Sequence, residues 1–452
     1  MPVETAISIP TVIDRRPVGS FQLAIFLMLG VTVIMDGFDV QAMGFVAPAI
    51  IRDWGVNKAE LGPVFGAGLT GMLVGSLTLS VVADRLGRRP VLIGATLFFA
   101  ACMLATSRAT SLPQLEWLRF FTGTGLGAIM PNAVALAGEY APSRRRVTLM
   151  ILVSCGLTLG AMAGGLVSTA LIPRWGWASV FVVGGVVPLV AALLMLPFLP
   201  ESLQFLALRG GSRARIERSL RRIDPDIELR PDTRFEIADA SGQGTPFVDL
   251  LREGRARTTI LLWAVNFLNL FNLYFLANWL PTIATDAGMS SSRALLLGTT
   301  LQAGGVIGSL ALGPGIEAVG YRAILVPLYG ITAGTIALIG LPGLVPAALF
   351  LVVLISGLGI IGSQPALNAL AGGYYPTALR STGVGWALGI GRIGAIVGPV
   401  LGGLLIGLHW SNPRLFATVA IAAALSAVLL LGIRDAPGIR HSDGSDEVNS
   451  EQ

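Results

Sequence analysis

Cysteine and histidine are nearly absent: the chain of 452 residues holds two of each. Cys102 and Cys155 both lie in apolar runs, so a disulfide, a zinc site and thiol catalysis find no support, and no metal is expected. His409 and His441 stand near the end of an apolar run and in a polar tail, so any proton carried through the apolar part must ride on carboxylates. No nucleophile–base set appears either, which excludes an enzyme, and no cofactor is called for beyond a coupling proton. Charge is scarce at 13%, about half of what a soluble domain carries. Lys58 is the single lysine. The basic balance (pI near 9.7) does not point to nucleic acid, because the arginines sit in short loops between apolar runs. The first twenty residues are polar and lack a cleavable signal pattern.

Apolar length is what the chain has in abundance, with 53% hydrophobic residues and a mean hydropathy of +0.74. Apolar runs fall near 21–46, 59–83, 91–107, 113–138, 147–171, 177–199, 258–284, 294–316, 322–342, 345–370, 381–407 and 414–433. A membrane helix needs about 20 residues, so the lipid bilayer is the partner of twelve spans. The organisation expected is an N-terminal arm at 1–20, six spans in 21–200, a charged linker with short surface helices at 201–257, six spans in 258–434 and a tail at 435–452. Arginines cluster at 15–16, 85–89, 144–146 and through 209–257, whereas the opposite loops hold only Arg52, Lys58, Arg108, Arg174 and Arg293. The positive-inside rule then places both termini and the linker on the cytoplasmic side of a multi-pass membrane protein.

Asp36-Gly37-Phe38-Asp39 lies midway along the first run. A charge at the centre of a membrane helix costs roughly 2.5–3.5 kcal/mol on insertion scales, so two acids there need a compensating role. Three residues apart, they share a helix face. They read as a proton or cation site on a transport path, or as acids that pack helices.

The two halves repeat. Gly125-Leu126-Gly127 returns as Gly357-Leu358-Gly359, Pro142 as Pro376, and Asp84-Arg85-Leu86-Gly87 as Glu317-Ala318-Val319-Gly320, all at offsets of 232 to 234. Six spans plus six around a linker is the layout of a two-bundle secondary transporter.

Asp84-Arg85-Leu86-Gly87-Arg88-Arg89 resembles the loop signature of the major facilitator superfamily, with Ser80 where a glycine is usual. Arg119, Gly123 and Gly127 match that superfamily's pattern in the fourth span. Asp36-Gly37-Phe38-Asp39, followed by Gly44 and Ala47-Pro48, resembles its aromatic acid:proton symporters, and Pro200-Glu201-Ser202 fits as well. The resemblance implies an all-α membrane protein of twelve helices in two pseudo-symmetric six-helix bundles. It further implies a monomer that imports an aromatic carboxylate of benzoate, hydroxybenzoate or phenoxyacetate type together with protons. Where some members have an acid and a histidine between spans 8 and 9, this chain has Glu317 and Arg322.

With that neighbourhood of helices, Arg119 is expected to pair with Asp36 or Asp39, or else to staple helices. Gly123 and Gly127 leave either a groove beside it or a close helix approach. Arg392, mid-span between Gly391 and Gly394, suits a substrate carboxylate, which matches its planar fork, or a structural pair. The seventh span is polar, with Asn266, Asn269, Asn272 and Asn278 and with Phe267 and Tyr274 among them; Asn266, Asn269 and Asn272, three apart, form a stripe that either lines a cavity or hydrogen-bonds across helices. Gln302, Gln364, Asn368 and Trp386 are further candidates for the substrate cavity. Asp84, Arg85, Arg88 and Arg89 look like a cytoplasmic latch; Glu139 is expected to bridge to Arg144–Arg146 or to gate, with Arg145 in the same set. Glu116 is expected at the outer mouth. Other readings are a drug:proton antiporter, which a mid-membrane Arg392 disfavours for cations, a sugar porter and a receptor without transport.

Overall fold

The computed structural model describes residues 6–208, 212–227, 229, 233–236 and 247–433, so the tail expected at 435–452 lies outside them, as does the Asp84 side chain. Two short elements open the chain, β1 (Ala6–Ser8) and α1 (Ile9–Arg15). Then come α2 (Ser20–Trp54), α3 (Leu61–Leu86), α4 (Arg88–Thr106), α5 (Leu112–Tyr140), α6 (Arg146–Ser154), α7 (Gly156–Trp175) and α8 (Ala178–Phe198). After α9 (Leu203–Leu208), α10 (Arg213–Ile223) and β2 (Arg234–Glu236) follow α11 (Ala256–Asp286), α12 (Ser291–Val319), α13 (Tyr321–Ile339), α14 (Pro346–Ile360), α15 (Ser363–Tyr374), α16 (Thr377–Gly407) and α17 (Asn412–Leu431). Among the described residues, twelve helical spans are long and apolar enough to cross a membrane, α6 with α7 and α14 with α15 each making one. The all-α twelve-span architecture is therefore as expected, with a two-stranded parallel ribbon of β1 on β2 added to it.

The first span runs eight residues past 46, to Trp54. Pro48 removes one bond of the ladder, yet the helix continues until Gly55 takes a left-handed conformation (φ 64°) that stops it.

By packing, the chain forms two compact units. The first holds Met1–Ser241, Phe275–Gln302 and Pro399–Trp410; the second holds Gly242–Tyr274, Ala303–Gly398 and Ser411–Gln452.

Glycine seams hold the first unit together. A Cβ on Gly123 would lie 1.9 Å from the Gly68 carbonyl oxygen, and one on Gly127 2.2 Å from that of Met72. In the other direction, Gly71 and Gly75 would meet the carbonyls of Phe120 and Thr124, each at 2.0 Å. So α3 and α5 touch backbone to backbone, which only residues without side chains permit. The same holds for α2 and α7, through Gly37 on Leu157 and Gly160 on Ile34. At the far end of α2 and α3, Phe65 meets Trp279 edge to face at 5.1 Å, and Lys58 Nζ lies 2.5 Å from Asp286 Oδ2.

The arm and part of the linker fold onto this unit as well. Asp14 accepts from the Ser143 amide at 2.6 Å and its hydroxyl at 2.7 Å. Arg16 pairs with Asp224 at 2.9 Å and with Asp226. The helix α10 buries Ile216, Leu220 and Ile223 and exposes Arg215, Arg218, Arg221 and Arg222.

In the second unit α16 lies directly on α11. Gly394 and Gly398 face the Phe267 and Phe271 carbonyls, and Gly391 faces Leu270 and Asn266.

Candidate functional site

The first unit contains a buried ion pair. Arg119 Nη1 on α5 donates to Asp39 Oδ1 on α2 at 2.7 Å, and the two residues are only 3% and 6% exposed. Neutral groups surround the rest of the guanidinium: Nη2 reaches Thr122 Oγ1 at 3.1 Å, and Thr106 Oγ1 and Met103 Sδ at 3.2 Å. The Phe181 ring lies 4.9 Å from Cζ, at a cation–π distance. Of the two acids that sequence spacing left open, Asp39 is the one facing Arg119; Asp36, fully buried, lies about one turn earlier. The glycines after Arg119 make the seam with α3 and no groove.

A small cavity adjoins the pair, lined among others by Asp39, Arg119, Phe65, Met72 and Asn278. Its volume of about 30 Å³ suits about two water molecules, far below the several hundred Å³ that drug-sized ligands occupy. It can wet Asp39 but cannot hold an aromatic acid.

The second unit contains a polar cluster built by α11, α13 and α15. The Asn269 amide donates to Gln364 Oε1 at 2.7 Å and to the Ile360 carbonyl at 3.1 Å, while its oxygen accepts from the Tyr329 hydroxyl at 2.7 Å. Tyr329 also meets Ser363 at 2.8 Å. Gln364 donates to Asn266 at 3.2 Å and Asn368 at 3.1 Å. The interruption between α14 and α15 is what exposes the Ile360 carbonyl to Asn269. Asn272 donates to its own helix, and its Oδ1 has no donor among the described residues. Thus Asn266, Asn269 and Gln364 come together, joined by Tyr329 and Ser363, which sequence reasoning missed. Gln302 is buried in the first unit and does not enter this hydrogen-bond set.

Arg392 is half-buried on α16, one residue past Gly391, whose face packs on Asn266. Phe267 and Tyr274 are half-buried on α11. Trp386 is 42% exposed, its ring 6.0 Å from that of Trp263.

A second ionic cluster lies at the start of α4. Arg88 pairs with Glu139, whose other oxygen accepts from the Ser202 hydroxyl. Glu201 Oε1 accepts from the amides of Arg88 at 3.0 Å, Arg89 at 3.1 Å and Ser202 at 2.8 Å. Gly87 (φ 102°) admits that carboxylate, because a Cβ there would lie within 2.4 Å of it. The bridge expected from Glu139 to Arg144–Arg146 is therefore corrected: the short turn at Ser143–Arg145 carries Arg145 out to solvent, and Arg88 takes its place. Arg85 is likewise exposed and outside this cluster among the described residues. Glu116, Glu317 and Arg322 are exposed.

The twelve spans, the glycine seams and the buried charge pair define a polytopic transporter. Residues 29–222 and 262–450 match the Major Facilitator Superfamily, and the chain belongs to that family. Its relatives include the 4-hydroxybenzoate transporter PcaK of Pseudomonas putida, 38% identical over 94% of this chain and 95% of that one. The gallate transporter of Pseudomonas putida is 37% identical over 95% and 96%. Among solved structures, a D-xylose–proton symporter superposes with a TM-score of 0.70 over 93% of this chain and 99% of that one, at 16% identity, a likeness of fold. The chain is a transporter and not an enzyme.

Proposed function

We propose that this protein imports an aromatic carboxylate together with protons across a bacterial inner membrane, as a monomer with both termini in the cytoplasm. The observation that carries the reading is the environment of Arg119. Among the described residues its guanidinium pairs with Asp39 and also hydrogen-bonds three neutral groups, Thr106, Thr122 and Met103. Protonating Asp39 removes the opposing charge without stripping the arginine of its hydrogen-bond acceptors. Asp39 thereby acts as the proton carrier, wetted through the small cavity, with buried Asp36 as its neighbour in coupling.

Arg392 binds the substrate carboxylate, a bidentate match for its planar fork. Asn266, Asn269 and Gln364, held in place by Tyr329 and Ser363, supply amides for ring hydroxyls, while Phe267, Tyr274 and Trp386 offer aromatic surface. The latch at the cytoplasmic side is the pair of Arg88 with Glu139, joined by Ser202 and by Glu201 on the Arg88 and Arg89 amides. The named substrates of the relatives, 4-hydroxybenzoate and gallate, support a hydroxylated benzoate as cargo. Moving an anion into a cell costs about 2.3 kcal/mol per 100 mV, which one accompanying proton cancels.

Uptake of labelled benzoate, 4-hydroxybenzoate and gallate into proteoliposomes tests this. Accumulation driven by an inward proton gradient is expected for at least one of them. Loss of a preloaded compound when protons flow inward, with no acid taken up, would reverse the reading to efflux.

A further inference from the structure

Apart from the Arg119 site and the polar cluster, and bordering the ionic cluster through Glu201, a cavity opens beside the end of α8. About 260 Å³ in volume, it is lined by Arg89, Arg215, Arg218 and Arg222, together with Glu201, Phe198 and other residues of 197–219. Four arginines and one glutamate line it, and the glutamate's carboxylate is already engaged with the amides of Arg88, Arg89 and Ser202. The cavity thus carries a surplus of positive charge. Its arginines are partly placed in advance: Arg89 Nη2 donates to the Leu196 carbonyl at 2.5 Å, and Arg222 lies over the Phe21 ring at 5.3 Å. The side of α8 leading to the cavity is apolar and uncovered, with Val190, Leu193, Leu194 and Phe198 each more than half exposed. On a membrane-spanning helix such a face meets acyl chains. An apolar strip ending in a cluster of arginines has the shape and polarity of one molecule, a phospholipid whose head carries net negative charge.

We propose that this cavity seats the phosphodiester of an anionic phospholipid, with its chains along α8 and its head held by Arg89, Arg215, Arg218 and Arg222. The proposal rests on the chain's spanning a membrane and is independent of the substrate and of proton coupling. The amphipathic α10 is the device that builds the site: burial of Ile216, Leu220 and Ile223 turns its arginines toward the headgroup. With the orientation proposed above, the lipid belongs to the cytoplasmic leaflet.

The full-length protein, purified with mixed phosphatidylglycerol and phosphatidylcholine, is examined by native mass spectrometry. Preferential retention of phosphatidylglycerol is expected, falling about fivefold for each of R215Q and R218Q. R221Q changes the same charge on the same helix outside the cavity and should retain lipid like the wild type. Equal loss in R221Q, or equal retention of the two lipids, would overturn the proposal. Melting temperatures in pure phosphatidylcholine check that the variants are folded. In the wild type, phosphatidylglycerol with a photoactivatable headgroup should crosslink at Arg89 or within residues 197–208 and 212–222, and crosslinks confined to other segments would refute the site. Inorganic phosphate should displace the lipid only at far higher concentration than the lipid itself and stabilise the protein less than phosphatidylglycerol does. Stabilisation by phosphate equal to that by phosphatidylglycerol would make the ligand a free anion and sink the lipid assignment.

Discussion

A Cβ on Gly37 would lie 1.8 Å from the carbonyl oxygen of Leu157. The glycine between the two acids therefore serves the contact of α2 with α7. Gly37→Ala forces these helices apart, an overpacking that costs about 1–3 kcal/mol. Gly30→Ala on the same helix meets nothing within 4 Å and should be neutral. Melting of the two solubilised variants compares them, and equal melting temperatures would contradict the seam.

Asp39→Asn and Arg119→Gln should each destabilise the protein. Removing one member of a buried pair leaves the other charge uncompensated, at a cost of about 3–5 kcal/mol. The double variant should recover most of that loss, because no charge is stranded. Proton-driven uptake should stay absent in all three. A double variant that still accumulates substrate against a gradient would remove Asp39 from coupling.

Tyr329→Phe deletes the hydroxyl shared by Asn269 and Ser363. A buried acceptor deprived of its donor costs about 1–3 kcal/mol. The expected outcome is a raised KM for uptake with the fold retained, since the Asn269 amide then loses its fixed orientation. An unchanged KM would mean that the cluster only fastens helices.

Asp14 ties the N-terminal arm to Ser143. Burial works against its charge, but the Ser143 amide and hydroxyl, with Arg146 and Arg144 nearby, hold its pKa below the ordinary value of 3.8. A carboxylate depressed in the folded state stabilises above its unfolded pKa and loses that effect as pH falls through the folded value. The tie should therefore be constant from pH 5 to 8 and weaken only below about pH 4. Protease sensitivity of the arm, measured across pH in wild type and Asp14→Asn, tests this; loosening of the wild type near pH 6 would contradict it.

The twelve spans were legible because apolar length alone identifies them, and a buried arginine announces that it needs a partner. Which acid it meets was not legible, since Asp36 and Asp39 share a face and only the packing of α2 against α5 separates them. Glycine spacing marked α3 and α5 but could not say groove or seam; that is settled by the carbonyls opposite. Tyr329 and Ser363 escaped notice because hydroxyls in membrane helices are common and bond to their own backbone, as Thr332 does to Leu328. In sequence the arginines nearest Glu139 are Arg144–Arg146, whereas the fold delivers Arg88 from another helix.

The two glycine seams have a mechanical consequence. Helices that touch through backbone have no side-chain rotamers to exchange along the seam, so each pair, α2 with α7 and α3 with α5, is a stiff double rod. Arg119 belongs to one rod and Asp39 to the other. On the coupling proposed above, their ion pair is a removable pin between two stiff members: with Asp39 charged the rods are pegged together, and one proton on Asp39 would withdraw the peg.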